Sequence, residues 1–442
     1  MRRNSPLRSP FFSALAVSFF FCLGAAPVKL SLSQAMTLAL ERQVEVIVAD
    51  ERVRQALNRI TQARSVLLPQ LNGSASIVRQ TANLEARGIR IPGQDPLVGP
   101  FNTFDARLSA TQAIFDVAAI QRLRAMKAGR DVSEAERRKA EQDAMALAAS
   151  FYLEARRGQD QIALAQSLLH LAERRLTVAR EGQSAGSGTE LDVLQLESDV
   201  ADRREGLAAA KTRALEARLD LQAALGLPED RAIAFTPGDP FPKAGEPTDD
   251  QIAAAVSGHP DVDISEKTAI QRKRETLVEK ADFFPRLSVA ADYGASGSSP
   301  SNSEGTYTFG GQLTVPFFRG GLRSGRIREA RSRERESAAR KDDAARQTEA
   351  KARTARENLK QAVYLLAAAR SDQSEAERRF ALAQDRLASG AGSSLELTEA
   401  EAGSAAARDR TREAEASALL ARVQLEHALG RLDDLIDPKG SP

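Results

Sequence analysis

At 442 residues the chain is long enough for a multi-domain soluble enzyme, but its composition argues against one. Charged residues make up 28%, aromatic residues only 5%, and Trp is absent, which is thin for a thick globular core and suits long helices packed through small residues. The net charge of +2 points to no class of partner, and His170, His259 and His427 lie near neither one another nor a Cys, so they read as solvated or capping residues rather than metal ligands.

Arg2, Arg3 and Arg8 precede an apolar run from Phe11 to Leu23, which is followed by Gly24-Ala25-Ala26. This is the pattern of a secretory signal peptide, set here at residues 1–25, and the run is too short to span a bilayer. Pro27 makes cleavage after Ala26 awkward, so Gly24 or Ala25 is the expected last residue removed. Cys22 falls inside this segment, and Phe19-Phe20-Phe21 before it lack the small residues of a lipoprotein signal. No lipid anchor and no disulfide are therefore expected. No other stretch is apolar for 18 residues, so no transmembrane helix is expected.

Leu32 to Gln43 reads as a short helix and Val44 to Leu67 as a second, ended by Pro69 because a residue before Pro avoids helical dihedrals. Strict alternation follows, with Leu71, Gly73, Ala75 and Ile77 on one face and Asn72, Ser74 and Ser76 on the other, which is a strand at about 70–79. A Gly/Pro-rich loop (80–102) leads to a second alternating run at about 103–114, with Phe104, Ala106, Leu108 and Ala110 opposed to Asp105, Arg107 and Ser109. The period then turns helical over 117–185, about 100 Å at 1.5 Å per residue. Ala148, Phe151, Ala155, Gly158, Ile162 and Ala165 keep a repeat of 3.5 there, which predicts left-handed coiled-coil packing at close range. A Gly/Ser turn starting at Gly186 breaks it, and a further helix spans about 189–225 up to a capping Gly226.

The same plan then recurs. Gly186–Glu197 is echoed by Gly390–Glu401 at an offset of 204, and Leu67-Leu68-Pro69-Gln70-Leu71 by Phe283-Phe284-Pro285-Arg286-Leu287 at an offset of 216. Such register marks an internal duplication. The extra dozen or so residues of the first copy fit the loop between Thr81 and Pro100. Residues 26–230 form repeat one, 231–247 a linker and 248–436 repeat two, with strands at about 286–294 and 306–316 and helices at about 320–388 and 394–429. In each copy the two shorter helices together nearly equal the long one, so each reads as a long helix flanked by two shorter ones.

Four strands with one apolar and one polar face are hard to cover in a soluble protein, because no spare apolar helix face remains. In an outer membrane the apolar face meets lipid, but open edges are not tolerated. Four strands are too few to close a barrel, so closure needs several chains. Twelve strands from three chains leave a lumen lined by Ser, Thr, Asn and Asp.

The duplicated unit, the Pro-opened strands LLPQL and FFPRL, the strand exits TQAIFD and TVPFFRGG, and the Gly turn before ELDVLQLE together resemble the TolC-like outer-membrane efflux family over essentially the whole mature chain. The chain departs from the pattern at Ala113, where repeat two has Pro316, and at Val117-Ala118-Ala119, where it has Gly320-Gly321. The resemblance implies a mainly helical protein with a transmembrane β-barrel: a trimer with a twelve-stranded barrel on a periplasmic tube of twelve helices. It also implies a periplasmic adaptor and an inner-membrane pump as partners. The function implied is the exit duct of tripartite efflux or type I secretion. The alternative from the residues alone is a periplasmic coiled-coil scaffold without a pore.

The segment Arg319 to Lys360 carries 14 Lys/Arg against seven Asp/Glu, and the interspersed acids suit a solvated helix face. Gly320 to Gly325 lacks the Lys-Ser/Thr of a phosphate loop, and no nucleophile–base arrangement supports catalysis, so no enzyme and no cofactor are expected. Thr189 with Asp192, and Ser393 with Glu396, have capping-box spacing. The resemblance implies that Glu396 and Glu399, with Asp192, line a narrow periplasmic gate. It likewise implies that Gly186, Ser187, Gly188, Thr189, Gly390, Gly392 and Ser393 form tips that an adaptor contacts.

Overall fold

The computed structural model of the chain describes residues 28–93, 95–229, 231–236 and 246–436. The signal peptide expected at 1–25, with Cys22, lies outside the described residues, as do residues 237–245 of the expected linker. Repeat one comprises β1 (Val28–Leu30), α1 (Leu32–Arg42), α2 (Val44–Ser65), β2 (Gln70–Asn83), β3 (Leu97–Asp116), α3 (Val117–Ser184) and α4 (Glu190–Ala224). After β4 (Ile233–Phe235) come α5 (Asp249–Gly258), α6 (Pro260–Ala281), β5 (Arg286–Ser299), β6 (Asn302–Thr314), α7 (Leu322–Ala388), α8 (Ser394–Ala428) and the short α9 (Asp433–Ile436).

The long helices start where local chemistry lets them. The Asp116 carboxylate accepts the Ala119 N–H at 2.9 Å and caps α3, satisfying one of the free donors of its first turn. In repeat two the expected start at 320 moves to Leu322, because Gly320 and Gly321 have φ of 56° and 84°, outside the helical region. β6 stops at Thr314, short of Pro316, which has no N–H for a ladder. β2 and β3 run longer than their alternating stretches. Their pairing continues past Gln80–Phe101 to Ala82–Val98, and the irregularity between those pairs absorbs Gly99-Pro100. Alternation reports side-chain burial, whereas the ladder is a property of the backbone.

α3 packs against α2 and α6 along its first half and against α4 and α8 along its second. Arg137–Asp50, Arg138–Asp263, Arg180–Glu197 and Arg175–Glu399 mark those four seams in turn. The α3–α4 seam is close: a Cβ added at Gly158 would lie 2.9 Å from the Ala214 Cα. Nearer the turn, Ala172, Leu176, Val193 and Val200 bury one another.

An apolar girdle holds the middle of the body. Leu30, Met36, Met145, Tyr152, Leu221 and Val423 are buried together from β1, α1, α3, α4 and α8. The Tyr152 hydroxyl donates to the Leu30 carbonyl at 3.2 Å, and its ring meets Phe235 edge-on with centroids 5.3 Å apart. A second cluster, with Ile252, Val262, Leu359, Leu425 and Leu429, joins α5 and α6 to α7 and α8. Buried His259 caps α6: its Nδ1 accepts the Asp261 N–H at 3.1 Å, which leaves Nε2–H to donate to the His427 carbonyl at 3.3 Å. Burial lowers the His259 pKa and favours this neutral form.

Candidate functional site

β2, β3, β5 and β6 form one antiparallel sheet in that order, with β3 paired to β5 across the two repeats. The edges β2 and β6 have no further neighbour within the sheet. Opposed residues in an antiparallel ladder face the same way, so the rows can be followed across all four strands. Leu71, Ala110, Ala291 and Phe309 form one row, and Gly73, Leu108, Tyr293 and Tyr307 the next on the same face. That face is bare: Leu71 is 68% exposed, Phe309 74% and Tyr307 80%. The other face carries Asn72, Ser109, Asp292 and Thr308 in one row and Ser74, Arg107, Gly294 and Thr306 in the next. A four-stranded sheet with a wide naked apolar face and two free edges does not suit water. Among the described residues no helix is long and apolar enough to cross a membrane.

At the opposite end of the long helices stand two turns built alike. Gly186 and Gly390 have φ of 77° and 75° and close the C-termini of α3 and α7. Gly188 and Gly392 each give their N–H to a carbonyl of the preceding helix, that of Gly182 at 3.1 Å and of Arg386 at 2.9 Å. A Cβ at either would stand 3.0 Å from that helix end, so glycine keeps both turns tight. Ser187 adds a hydroxyl bond to the Gly182 carbonyl at 3.0 Å. All seven expected tip residues thus fall in two exposed hairpin ends.

The expected gate acids divide between the two hairpins. Asp192 completes a capping box, accepting from the Thr189 N–H at 3.2 Å and from its hydroxyl at 2.6 Å, while Thr189 Oγ1 accepts the Asp192 N–H. The Thr189 hydroxyl, then its backbone N–H, hold the Asp192 carboxyl below its ordinary pKa. At the second turn only half the box forms. Ser393 Oγ accepts the Glu396 N–H at 3.1 Å, and the Glu396 carboxylate turns instead to Arg386 at 3.5 Å. Glu399 reaches across to Arg175 of α3 at 2.8 Å. Glu396 and Glu399 line one groove along α7 and α8, together with Arg379, Arg386 and Arg410. Asp192 is not among the residues of that groove.

The basic partners were not read from the sequence. Arg180–Glu197 and Glu173–Arg204 cross the first hairpin at 2.7 and 3.2 Å, and Glu377–Arg408 the second at 3.1 Å. The partners sit at nearly equal distances before and after each Gly turn, a mirror spacing that would have exposed them. These side chains are 43–67% exposed, and such pairs contribute at most about 1 kcal/mol each. They position the acids without fixing them in place.

The sequence profile of outer membrane efflux proteins matches residues 35–227 and 253–431. A 310-residue segment is 28% identical to the pyoverdine export outer membrane protein OpmQ of Pseudomonas aeruginosa, covering 67% of this chain and 63% of that one. The alkaline protease secretion protein AprF of the same organism is 26% identical over 71% of this chain and 66% of its own length. The chain thus spans a little under two thirds of the length of these relatives. Its fold matches the CmeC outer membrane channel of Campylobacter jejuni with a TM-score of 0.78 at 19% identity, over 90% of this chain and 85% of that one.

Proposed function

The chain belongs to the outer membrane efflux protein family, with its place in the outer membrane and its helices in the periplasm, and from that premise we propose that three copies build a passive exit duct. The observation that carries this reading is the sheet, which has one bare apolar face, one polar face, and free edges only at β2 and β6. Three such sheets, joined β6 to β2, close a twelve-stranded barrel with the apolar rows in lipid and the polar rows around the lumen. The long helix pairs α3–α4 and α7–α8 then contribute twelve helices to a periplasmic tube ending at the Gly turns. A scaffold without a pore would leave the apolar face in water.

An adaptor docks on the tips around Gly186–Thr189 and Gly390–Ser393, and an inner-membrane pump feeds the duct through it. The relatives named for pyoverdine export and alkaline protease secretion support a place in efflux or type I secretion. The duct supplies a passage, and the pump supplies the energy. Purified protein in detergent is expected to have three times the chain mass by light scattering corrected for detergent. A stable, monodisperse monomer would contradict the reading, since it would keep both sheet edges open.

At the tube end, Glu396 and Glu399 bring six carboxylates from three chains to the narrowest point. A ring of acids favours cations over anions. Replacing both with Gln is expected to lower cation selectivity and weaken block by divalent ions added from the periplasmic side. It also releases α8 from Arg175 and Arg386, so conductance is expected to rise. Ser393→Ala removes the cap, at a cost of about 0.5–2 kcal/mol, and leaves the charge. Bilayer recordings of the two variants separate charge from cap. Unchanged selectivity and divalent block in the double variant would assign these acids to helix packing alone.

A further inference from the structure

The polar face of the sheet carries a fixed cluster of charge far from the periplasmic acids. Arg107 of β3 gives its Nε to both oxygens of Asp105 at 2.9 Å, its Nη1 to Asp292 of β5 at 2.6 Å and its Nη2 to Thr306 of β6 at 3.2 Å. One guanidinium thus ties three strands together across the boundary between repeats. The site has a built floor. Gly294 lies opposite Arg107, and a Cβ there would sit 2.2 Å from the Ala106 carbonyl and 2.7 Å from the Arg107 Cγ. The missing side chain is what lets the arginine stem lie flat across β5 and reach Asp292 and Thr306. Side-chain exposures of 25–30% for Arg107, Asp105 and Asp292 show three charged groups held against the wall rather than waving in solvent. Exposed Glu304 stands in the next row, with Ser76, Asp105 and Ser296.

We propose that this belt is a second charge filter, inside the barrel, which favours cationic and zwitterionic solutes over anionic ones and whose strength Arg107 limits. The inference rests on the three-chain barrel proposed above, in which the polar face surrounds the lumen. Within the belt, Asp105, Asp292 and Glu304 set three carboxylates against the one guanidinium of Arg107. Two negative charges remain per chain, and six around the barrel. Charges fixed in a low-dielectric wall act strongly on an ion passing beside them. Arg107 is therefore the adjustable member: without it three negative charges per chain remain, and without Asp292 or Glu304 only one.

The test is the zero-current potential across a KCl gradient in planar bilayers, using the full chain. All variants are made in a parent carrying Glu396→Gln and Glu399→Gln, so that the tube-end acids do not mask the barrel. Arg107→Gln is expected to raise the K+/Cl− permeability ratio about twofold or more, and Arg107→Lys to restore it. Asp292→Asn and Glu304→Gln are each expected to lower the ratio by a similar factor. Should Arg107→Gln fail to fold, Glu304→Gln decides alone, because Glu304 makes none of the Arg107 bonds. A conducting parent whose ratio is unmoved by Glu304→Gln overturns the filter and leaves the duct standing. A parent that forms no channel overturns both.

Discussion

Arginine in place of Phe309 is expected to abolish recovery of the protein in carbonate-washed outer membranes, while arginine at the adjacent Thr308 leaves recovery close to wild type. The two positions are neighbours on β6 and share its backbone environment, but they face opposite sides of the sheet. Phe309 continues the row of Leu71, Ala110 and Ala291 and is 74% exposed, with no apolar cover from its own chain. If lipid covers it, a charge near the bilayer midplane costs about 2–4 kcal/mol per chain, repeated three times in a trimer. The total, about 6–12 kcal/mol, is comparable to a typical margin of stability of about 5–15 kcal/mol. Thr308 stands in the row of Asn72, Ser109 and Asp292, where an added guanidinium finds a carboxylate and water. Equal recovery of the two variants would mean that the apolar face does not meet lipid, and the barrel would fall with it.

A second large effect is expected at Gly158. The Cβ of an alanine there would stand 2.9 Å from the Ala214 Cα and 3.1 Å from its Cβ, so backbone, not a flexible side-chain end, would have to move. Alanine gains up to about 1 kcal/mol of helix propensity over glycine. Overpacking at such a contact typically costs about 1–3 kcal/mol, so the net change is destabilising. Gly158→Leu cannot be housed without parting α3 from α4, and it is expected to eliminate the folded protein. Gly206→Ala is the contrasting case, because no atom lies within 4 Å of its would-be Cβ in the protomer. That variant is expected to gain about 0.5–1 kcal/mol. Thermal melting of the purified protein with the two alanine variants side by side tests the pair. A Gly158→Ala protein as stable as Gly206→Ala would show that the seam has room to spare.

How much of this was legible beforehand can be judged from particular residues. The alternation of Leu71 to Ile77, and of Leu287 to Tyr293, declares a strand with two unlike faces, because a pleat of period two leaves that trace whenever the faces meet different surroundings. The extension of β3 back to Leu97 leaves none, since Gly99-Pro100 sits at an irregularity where side chains no longer alternate. The Gly–Ser turns were visible because glycine at a helix end serves a backbone need. The pairing of β3 with β5, which merges two hairpins into one sheet, has no sequence signature, for it depends on how two distant segments meet. Glu396 and Glu399 could be singled out once the chain's resemblance was recognised. Arg386 mirrors Glu396 across the Gly turn and could have been paired with it by spacing; Arg175 could not be found, because its pair with Glu399 joins helices of different repeats and is written only in the packing. Arg107 gave no signal of its own beyond its place on the polar face, and the glycine opposite it becomes meaningful only when the two strands are side by side.

The long helix α3 is bound to its two partners toward the Gly turns by different proportions of packing and charge. Toward α4 the contact is chiefly the near-touching backbone at Gly158 and the buried Ala172, Leu176, Val193 and Val200, with the exposed pairs Arg180–Glu197 and Glu173–Arg204 at its margin. Toward α8, beyond the girdle, it includes a ladder of half-exposed ion pairs, Arg157–Glu413, Asp160–Arg412 and Arg175–Glu399. Mobile ions screen such charges over about 10 Å at 0.1 M salt and over about 3 Å at 1 M, whereas close packing is indifferent to them. The periplasm exchanges small ions with the surroundings of the cell. Its ionic strength therefore acts more on the α3–α8 line than on the α3–α4 seam, where close packing backs the two ion pairs. A rise in external salinity is thus expected to loosen α8 from α3 first.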